Sequence, residues 1–209
     1  PCPGCLHCLH VLFLNQPVEC RVNPFMGHEG EMVIRPATQP KQVMVVGAGP
    51  AGMEAARVAA LRGHWVSLYD RASTLGGLLP MAAFIKSGGR DDLPPLLEWY
   101  ERQLKQLNVS IHLRQEVTPE LVRKASPDAV VLAVGGKPLP APLSGDKVVT
   151  SEGLKGQAKD FLGLLGPAVL AALTKIFLPT GKRIVVVGSD LAGLQTVEFL
   201  VKRGKQVTL

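Results

Sequence analysis

The sequence predicts an α/β fold in which short parallel strands alternate with helices. Two stretches, Val43–Tyr69 and Ile184–Leu209, each contain an apolar strand, a glycine turn, a helix and the start of a second strand. A third stretch, Ala129–Val134, is a continuous apolar run of the kind found in buried strands. Because strands that alternate with helices favour a parallel sheet, the pattern predicts layered βαβ units.

The composition fits a packed globular protein. Of the 209 residues, 46% are hydrophobic and 19% are charged, a balance unlike that of a disordered chain. The net charge of +6 is spread along the chain without a long basic run. It therefore indicates a solvated surface that suits anionic nucleotides or an acidic partner, and not a nucleic-acid interface.

The strand Val43–Val46 leads into a glycine turn with the spacing G-x-G-x-x-G. Gly47 permits the tight turn, Gly49 leaves room for a pyrophosphate against the backbone, and Gly52 lets the next helix pack closely on the strand. The free N–H groups at the start of that helix would face the phosphates. Asp70 ends the following strand, eighteen residues after Gly52, where an acid reaches the hydroxyls of an adenosine ribose.

Further elements follow from local signals. The first helix is predicted over Ala51–Arg62 and ends at Gly63, which suits a C-cap. Leu93–Leu107 carries apolar residues at helical spacing and is predicted to be an amphipathic core helix. Thr118 is predicted to be an N-cap because a proline and an acid follow it. Pro36–Pro40 is a polar connector between segments.

All four cysteines lie within the first twenty residues, at Cys2, Cys5, Cys8 and Cys20. Three thiolates at steps of three, with a fourth from farther along, can occupy the iron corners of a [4Fe-4S] cluster. Zinc more often takes two separated C-x-x-C pairs, and it stays open as an alternative. A disulfide framework would be unusual in a chain whose other features indicate an intracellular redox enzyme.

Neither a signal peptide nor a membrane span is predicted. The N-terminal residues lack a basic region followed by an apolar run. The most apolar segment, Phe161–Leu173, is interrupted by glycine and proline and is shorter than the roughly 20 residues that span a bilayer. We therefore expect a cytoplasmic protein with a buried or interface helix in this segment, and docking of the segment on a membrane surface stays open as an alternative.

Ile184–Gly193 repeats the strand and glycine turn with one departure. Gly188 and Gly193 hold the first and last glycine positions, while Asp190 replaces the second. A carboxylate there would crowd and repel a pyrophosphate unless its side chain turns away or caps the helix. The sequence ends at Leu209, where the second strand should deliver its ribose-binding acid, so we expect a fragment of a longer protein.

Taken together, the cysteines and the first glycine turn resemble a known family. The run Cys2-Pro-Gly-Cys5-Leu-His-Cys8, then Cys20-Arg-Val-Asn-Pro24 and His28-Glu29, followed by GAGPAG, resembles the C-terminal half of the iron-sulfur flavoenzymes related to old yellow enzyme. These include 2,4-dienoyl-CoA reductase, 2-enoate reductase and trimethylamine dehydrogenase. The resemblance covers essentially the whole chain. It implies a truncated α/β flavoprotein fold of the two-dinucleotide-binding-domain (Rossmann-like) type, with an N-terminal cysteine-rich cluster segment.

That resemblance implies three segments and their ligands. Residues 1–36 would hold the [4Fe-4S] cluster, residues 37–153 the first part of an FAD-binding domain, and residues 154–209 the start of an NAD(P)-binding domain. The cluster ligands would be Cys2, Cys5, Cys8 and Cys20. The implied FAD and NAD(P)H contacts are Gly47, Gly49, Pro50, Ala51, Gly52, Asp70, Arg71, Gly76, Gly77, Ala133, Gly135, Gly188 and Gly193. No catalytic residue is implied, because no part of the chain matches the family's substrate site.

In the family, electrons pass from NAD(P)H through FAD and the cluster to FMN in a TIM barrel, where an activated alkene is reduced. The barrel is missing here and would be a partner in the same parent chain or a separate subunit, in a parent compatible with a homo-oligomer. The resemblance thus implies an enzyme fragment that relays electrons and does not reduce an enoate or enoyl-CoA alone. Two alternatives stay open: a stand-alone electron-transfer or diaphorase module for a partner subunit, and a non-catalytic nucleotide-binding domain with a zinc knuckle.

Overall fold

The computed structural model describes residues 2–86, 93–136, 143, 145–150, 169–170, 172–178, 180–188 and 191–209. The chain divides into two compact units, one of residues 1–77 with 94–135 and one of residues 78–93 with 136–209. The predicted boundary between residues 36 and 37 lies inside the first unit. The boundary predicted at residue 153, Asp190 and most of Phe161–Leu173 lie outside the described residues.

A parallel sheet forms the centre of the first unit. Among the described residues its strands are β1 Gln42–Val46, β2 Trp65–Tyr69, β3 Ser110–His112 and β4 Ala129–Leu132, in the order β3-β2-β1-β4. Strand β1 is central, and Val43, Met44 and Val45 are buried. This strand order is that of the first half of a nucleotide-binding doubly wound fold.

Helices connect and cover the strands. The described helices are α1 His7–Phe13, α2 Pro50–Leu61, α3 Leu79–Lys86, α4 Leu93–Gln106, α5 Pro119–Ala125 and α6 Leu191–Val201, and residues 172–176 are also helical. Helix α2 packs on β1 and β2 and buries Met53 and Ala56. Helix α4 has the predicted amphipathic pattern, with Leu96, Tyr100 and Leu104 buried.

Most predicted elements are confirmed, with ends that differ by one or two residues. Thr118 caps α5, since its Oγ1 accepts the Leu121 N–H at 3.3 Å. Gly63 follows α2 with φ +87°, as a glycine C-cap does.

One prediction was wrong. Ala129–Val134 was expected to be a buried strand, but in β4 the side chains of Val130, Val131 and Leu132 are 40%, 37% and 74% exposed. The reason is its position: β4 pairs with β1 on one side and with no described strand on the other.

The second unit contains α3, α6 and a parallel pair of strands, β5 Arg183–Val185 and β6 Gln206–Thr208. Its buried core consists of Met81, Phe84, Leu170, Phe199 and Leu200. None of the helices in the described ranges has the length and apolar character needed to cross a membrane.

Candidate functional site

The turn between β1 and α2, residues 47–52, is called the glycine turn below. Gly47 has φ +104°, a left-handed conformation that residues with side chains rarely adopt. A Cβ on Gly47 would stand 2.3 Å from the carbonyl oxygen of Ala133, and one on Gly52 would stand 1.8 Å from the carbonyl oxygen of Gly47. Both positions therefore require glycine for the packing of the protein itself.

Gly49 differs from the other two glycines, because the space beside it is open. No described heavy atom lies within 4 Å of a Cβ built there. Its backbone is extended, with φ −72° and ψ 179°, which any residue adopts. Neither the described packing nor the backbone conformation demands a glycine here, and the open side leaves the backbone of the turn accessible.

The N-terminus of α2 suits an anion. Gly49 is the N-cap and supplies no side-chain hydrogen bond, Pro50 lies in the first turn, and that turn contains no acidic residue. The N–H groups at the start of the helix are thus left without a side-chain cap, and the helix dipole adds partial positive charge. A diphosphate is the ligand that this arrangement favours.

The loop after β2, residues 70–77, folds back onto the glycine turn and is called the β2 loop. The Asp70 Oδ2 atom accepts the Ala48 N–H at 2.7 Å. The Gly76 N–H donates to the Ala48 carbonyl at 2.9 Å. Gly77 has φ +57°, and a Cβ on it would lie 2.9 Å from the Gly49 Cα. The predicted glycine pair therefore lies directly beside the glycine turn.

The residues that follow β4 lie beside the glycine turn and the start of α2. The Ala133 N–H donates to the Val46 carbonyl at 2.8 Å, which holds Ala133 beside Gly47. The Ala133 methyl carbon would be 3.3 Å from a Cβ on Gly52, so a larger side chain at position 133 would meet α2. Gly135 follows with φ +77° and open space around it.

The structure therefore gathers most of the predicted residues of the first nucleotide site: Gly47, Gly49, Gly52, Asp70, Gly76, Gly77 and Ala133. Ala48 was missed by the sequence reasoning. Its N–H and carbonyl both form hydrogen bonds with the β2 loop. Because only backbone atoms make these bonds, the identity of the side chain at position 48 gives no indication of them. The ligand contacts of all these residues stay predictions, as do those of Pro50, Ala51, Arg71 and Gly135.

The turn after β5 repeats features of the first. Gly188 has φ +136°, again in the left-handed region. The Val186 N–H donates to the Thr208 carbonyl at 2.8 Å, which continues the pairing of β5 with β6 by one residue. Asp190 lies outside the described residues, and nucleotide binding by Gly188 and Gly193 stays a prediction.

The cysteine segment contains four free thiols. Cys2 and Cys5 are exposed, while Cys8 and Cys20 are half-buried. Within the described ranges, no group of three or more His, Cys, Asp or Glu side chains is arranged to hold a metal ion. The donor set itself suits iron-sulfur ligation, since four thiolates are the ligands of such clusters. The cluster therefore stays a prediction that rests on donor chemistry.

A side-chain hydrogen bond that was not predicted links the two parts of this segment. His7 Nε2 lies 2.7 Å from Glu19 Oε1. His7 stands between Cys5 and Cys8, and Glu19 directly precedes Cys20. The pair thus joins α1 to the chain that carries the fourth cysteine. The sequence offered only a histidine and an acid next to candidate ligands, and spacing alone does not pair them.

A cavity of about 410 Å³ lies at the other end of the sheet. Gln42, Trp65 and Asn108 are among its lining residues, and they belong to the beginnings of β1 and β2 and to the turn before β3. Ligands of open parallel sheets bind beyond the carboxyl ends of the strands. We therefore do not assign the nucleotide to this cavity.

The parallel sheet, the glycine turn at the carboxyl end of its central strand and the open helix N-terminus define a dinucleotide-binding α/β protein of the flavoprotein type. Residues 41–209 match the family described as pyridine nucleotide-disulphide oxidoreductase, and the chain belongs to that family. The predicted fold class is thereby confirmed.

Individual relatives extend the similarity to the cysteine segment. The chain is 35% identical over 215 residues to cinnamate reductase of Clostridium sporogenes, an alignment that covers 100% of this chain and 29% of that protein. It is 35% identical over 199 residues to NADH oxidase of Thermoanaerobacter brockii, covering 95% of this chain and 28% of that protein.

A solved structure shows the same relationship. The 2-naphthoyl-CoA reductase complexed with 2-naphthoyl-CoA matches with a TM-score of 0.77 and 30% identity over 99% of this chain and 29% of that one. The predicted kinship with flavoenzymes related to old yellow enzyme is confirmed. The chain spans about 29% of the length of the relatives that it matches.

Proposed function

We propose that this chain is the nucleotide-binding and electron-relay part of an NAD(P)H-dependent flavin oxidoreductase. The glycine turn binds the ADP half of FAD, with the diphosphate against Gly49 and the first N–H groups of α2. The observation that carries this proposal is the open space beside Gly49, in a turn where Gly47 and Gly52 are closely packed by the protein.

The surrounding residues have distinct roles in this proposal. Gly76 and Gly77 form a wall beside the diphosphate, because their backbone contacts the glycine turn. The carboxylate of Asp70 accepts a ribose hydroxyl on lone pairs that its protein hydrogen bonds leave over, since a carboxylate offers about four acceptor sites. Arg71 follows it and neutralises phosphate charge, and Ala133 and Gly135 leave room at the exit of β4.

The remaining predicted sites complete the relay. Gly188 and Gly193 belong to the turn that binds NAD(P)H, and Cys2, Cys5, Cys8 and Cys20 hold a [4Fe-4S] cluster. When bound, these groups supply the hydride and one-electron chemistry, while the chain spaces and orients them.

The relatives support a proposal for the partner and the substrate. We propose that the electrons leave this chain for FMN in a TIM barrel, in the same parent chain or in a separate subunit, where an enoate or enoyl-CoA alkene is reduced. One relative is named for the reduction of cinnamate, which is an enoate, and another for the reduction of 2-naphthoyl-CoA, an aromatic acyl-CoA; the chain spans about 29% of each.

Anaerobic purification followed by metal analysis, flavin analysis and a visible spectrum tests the proposal. We expect about four iron atoms per chain, with broad absorbance under the flavin bands. Cys8→Ser should lose iron and keep FAD, and His10→Ala, an exposed residue of the same helix, is the matched control and should keep both. Zinc without iron would instead support the structural knuckle, and a folded chain that binds neither flavin nor iron would contradict the proposal.

A further inference from the structure

Asp70 stands where an acid is expected to contact a ribose, yet its carboxylate is engaged with the protein itself. Oδ2 accepts the Ala48 N–H at 2.7 Å, and Oδ1 accepts the Ala72 N–H at 2.7 Å. Ala48 lies between the first two glycines of the glycine turn and is 0% exposed. One oxygen of the carboxylate therefore binds the glycine turn, and the other binds the β2 loop.

The β2 loop also holds the second polar group of Ala48. The Gly76 N–H donates to the Ala48 carbonyl at 2.9 Å. Because a buried backbone group requires a hydrogen-bond partner, this loop satisfies both groups of the Ala48 residue. Without the carboxylate, the buried Ala48 N–H would lose the acceptor that the structure provides.

Two further contacts fix the glycine turn on either side of Ala48. The Gly47 N–H donates to the Tyr69 carbonyl at 2.8 Å, at the end of β2. Gly77 lies against Gly49, since a Cβ on it would be 2.9 Å from the Gly49 Cα. The glycine turn is thus held in place by the end of β2 and by the loop that Asp70 organises.

We propose that Asp70 is a positioning residue for the diphosphate site, a role separate from any contact with the ribose. Its carboxylate fixes the Ala48 peptide and so holds Gly49 and the N-terminus of α2 in the conformation that receives a diphosphate. Removing the carboxylate weakens the binding of nucleotides that have no ribose hydroxyls at all. This inference rests on the proposed function, because it requires a nucleotide at the glycine turn.

A comparison of ADP with a nucleotide that lacks the ribose hydroxyls distinguishes a positioning role of Asp70 from a direct contact with the ribose. The wild-type chain and Asp70→Asn are titrated calorimetrically with ADP and with 2′,3′-dideoxy-ADP. An asparagine cannot accept both N–H groups as a carboxylate does, because one side of the amide is a donor. Positioning predicts that dideoxy-ADP binding weakens by a factor of about ten or more, the order expected for a lost charge-assisted hydrogen bond, and that ADP binding weakens by at least the same factor, with any excess reporting the ribose contact. A ribose contact alone predicts weaker ADP binding and unchanged binding of dideoxy-ADP.

Asp128→Asn is the matched control. Its Oδ2 accepts the Gln42 N–H at 2.7 Å, at the opposite end of β1, so it is an equivalent carboxylate-to-backbone bond far along the strand from the glycine turn. This variant should bind both ligands as the wild type does. Asp70→Glu is the second variant, since it keeps the charge but moves the carboxylate by one methylene, and it should also weaken dideoxy-ADP.

Hydrogen exchange of the Ala48 amide in the nucleotide-free chain gives an independent readout. We expect slow exchange in the wild type and in Asp128→Asn, and faster exchange in both Asp70 variants. Unchanged dideoxy-ADP affinity together with a protected Ala48 amide in those variants would overturn the inference and leave the proposed function standing. A wild-type chain that binds neither nucleotide, while its Ala48 amide is protected, would overturn both.

Discussion

At the scale of single residues, the glycine turn shows two different reasons for a glycine. Gly47 and Gly52 are required by the protein, because a Cβ at either position would overlap backbone or carbonyl atoms. Neither a close contact nor a positive φ requires glycine at position 49, and the proposed ligand lies against its open side. Substitution by alanine therefore separates the stability of the fold from the affinity of the site.

Gly52→Ala should mainly lower the stability of the fold, whereas Gly49→Ala should mainly lower the affinity for ADP. In Gly52→Ala, the 1.8 Å approach to the Gly47 carbonyl oxygen should lower the free energy of unfolding by about 2 kcal/mol or more. Gly49→Ala should change it by less than about 1 kcal/mol, yet lower ADP affinity at least about tenfold. Urea denaturation and calorimetry measure the two quantities. Gly30→Ala, where nothing lies within 4 Å, is the control, and wild-type ADP affinity in Gly49→Ala would contradict the expectation.

Tyr100 makes the stability of the fold depend on alkaline pH. Its side chain is buried in α4, and this burial, together with Glu54 and their hydrogen bond, raises the pKa of Tyr100 to about 12. A tyrosine in an unfolded chain titrates near 10. Between about pH 10 and 12 the unfolded chain thus releases a proton that the folded chain keeps, so this contribution to stability is complete below pH 10 and is lost as the pH rises.

Tyr100→Phe should flatten that pH dependence. At pH 7 the variant should lose about 1 kcal/mol, the value of one hydrogen bond. The free energy of unfolding measured at several pH values from 9 to 12 checks this dependence, with Trp65→Phe, an exposed aromatic residue of β2, as the control that keeps the titrating group. If the free energy of unfolding falls equally steeply with pH in the wild type and in Tyr100→Phe, the ionisation of Tyr100 does not contribute to the pH dependence and the expectation is contradicted.

At the scale of secondary-structure elements, the sequence pattern was sufficient to predict an element when the residues that determine it all lie within that element. The alternation of apolar residues predicted α4, and the glycines predicted both turns, because each depends on residues close in sequence. The exposure of β4 could not be predicted, since an apolar run is the same in an edge strand and in a central one. The hydrogen bond that the Ala48 N–H donates to Asp70, and the hydrogen bond between His7 and Glu19, could not be predicted either, because they depend on how distant segments pair.

The pair of His7 and Glu19 should assist cluster assembly in the cysteine segment. If the four cysteines bind a [4Fe-4S] cluster, the 2.7 Å contact brings α1 and the segment before Cys20 together before iron arrives. Glu19→Gln should therefore lower the iron content after reconstitution, while Glu29→Gln, an exposed acid in the same segment, should not. Equal iron content in the two variants would assign the pair to local stability alone.

At the scale of the whole molecule, each compact unit contains a parallel strand pair, and in each a glycine with positive φ stands between the first of these strands and the helix that follows it. The family match covers both, from residue 41 to residue 209. Their conformations agree at the first glycine, where Gly47 and Gly188 both have positive φ. The central claim is that the turn in the first unit receives the ADP half of a dinucleotide.

Amide chemical shifts of the full chain during titration with ADP test that claim most directly. We predict saturable shifts centred on Ala48, Gly49, Ala51 and Gly52, with smaller shifts at Gly76 and Gly77, and their loss at the same ADP concentrations in Gly49→Ala. Saturable shifts centred elsewhere in the chain, or no shifts in a folded wild-type chain, would contradict it.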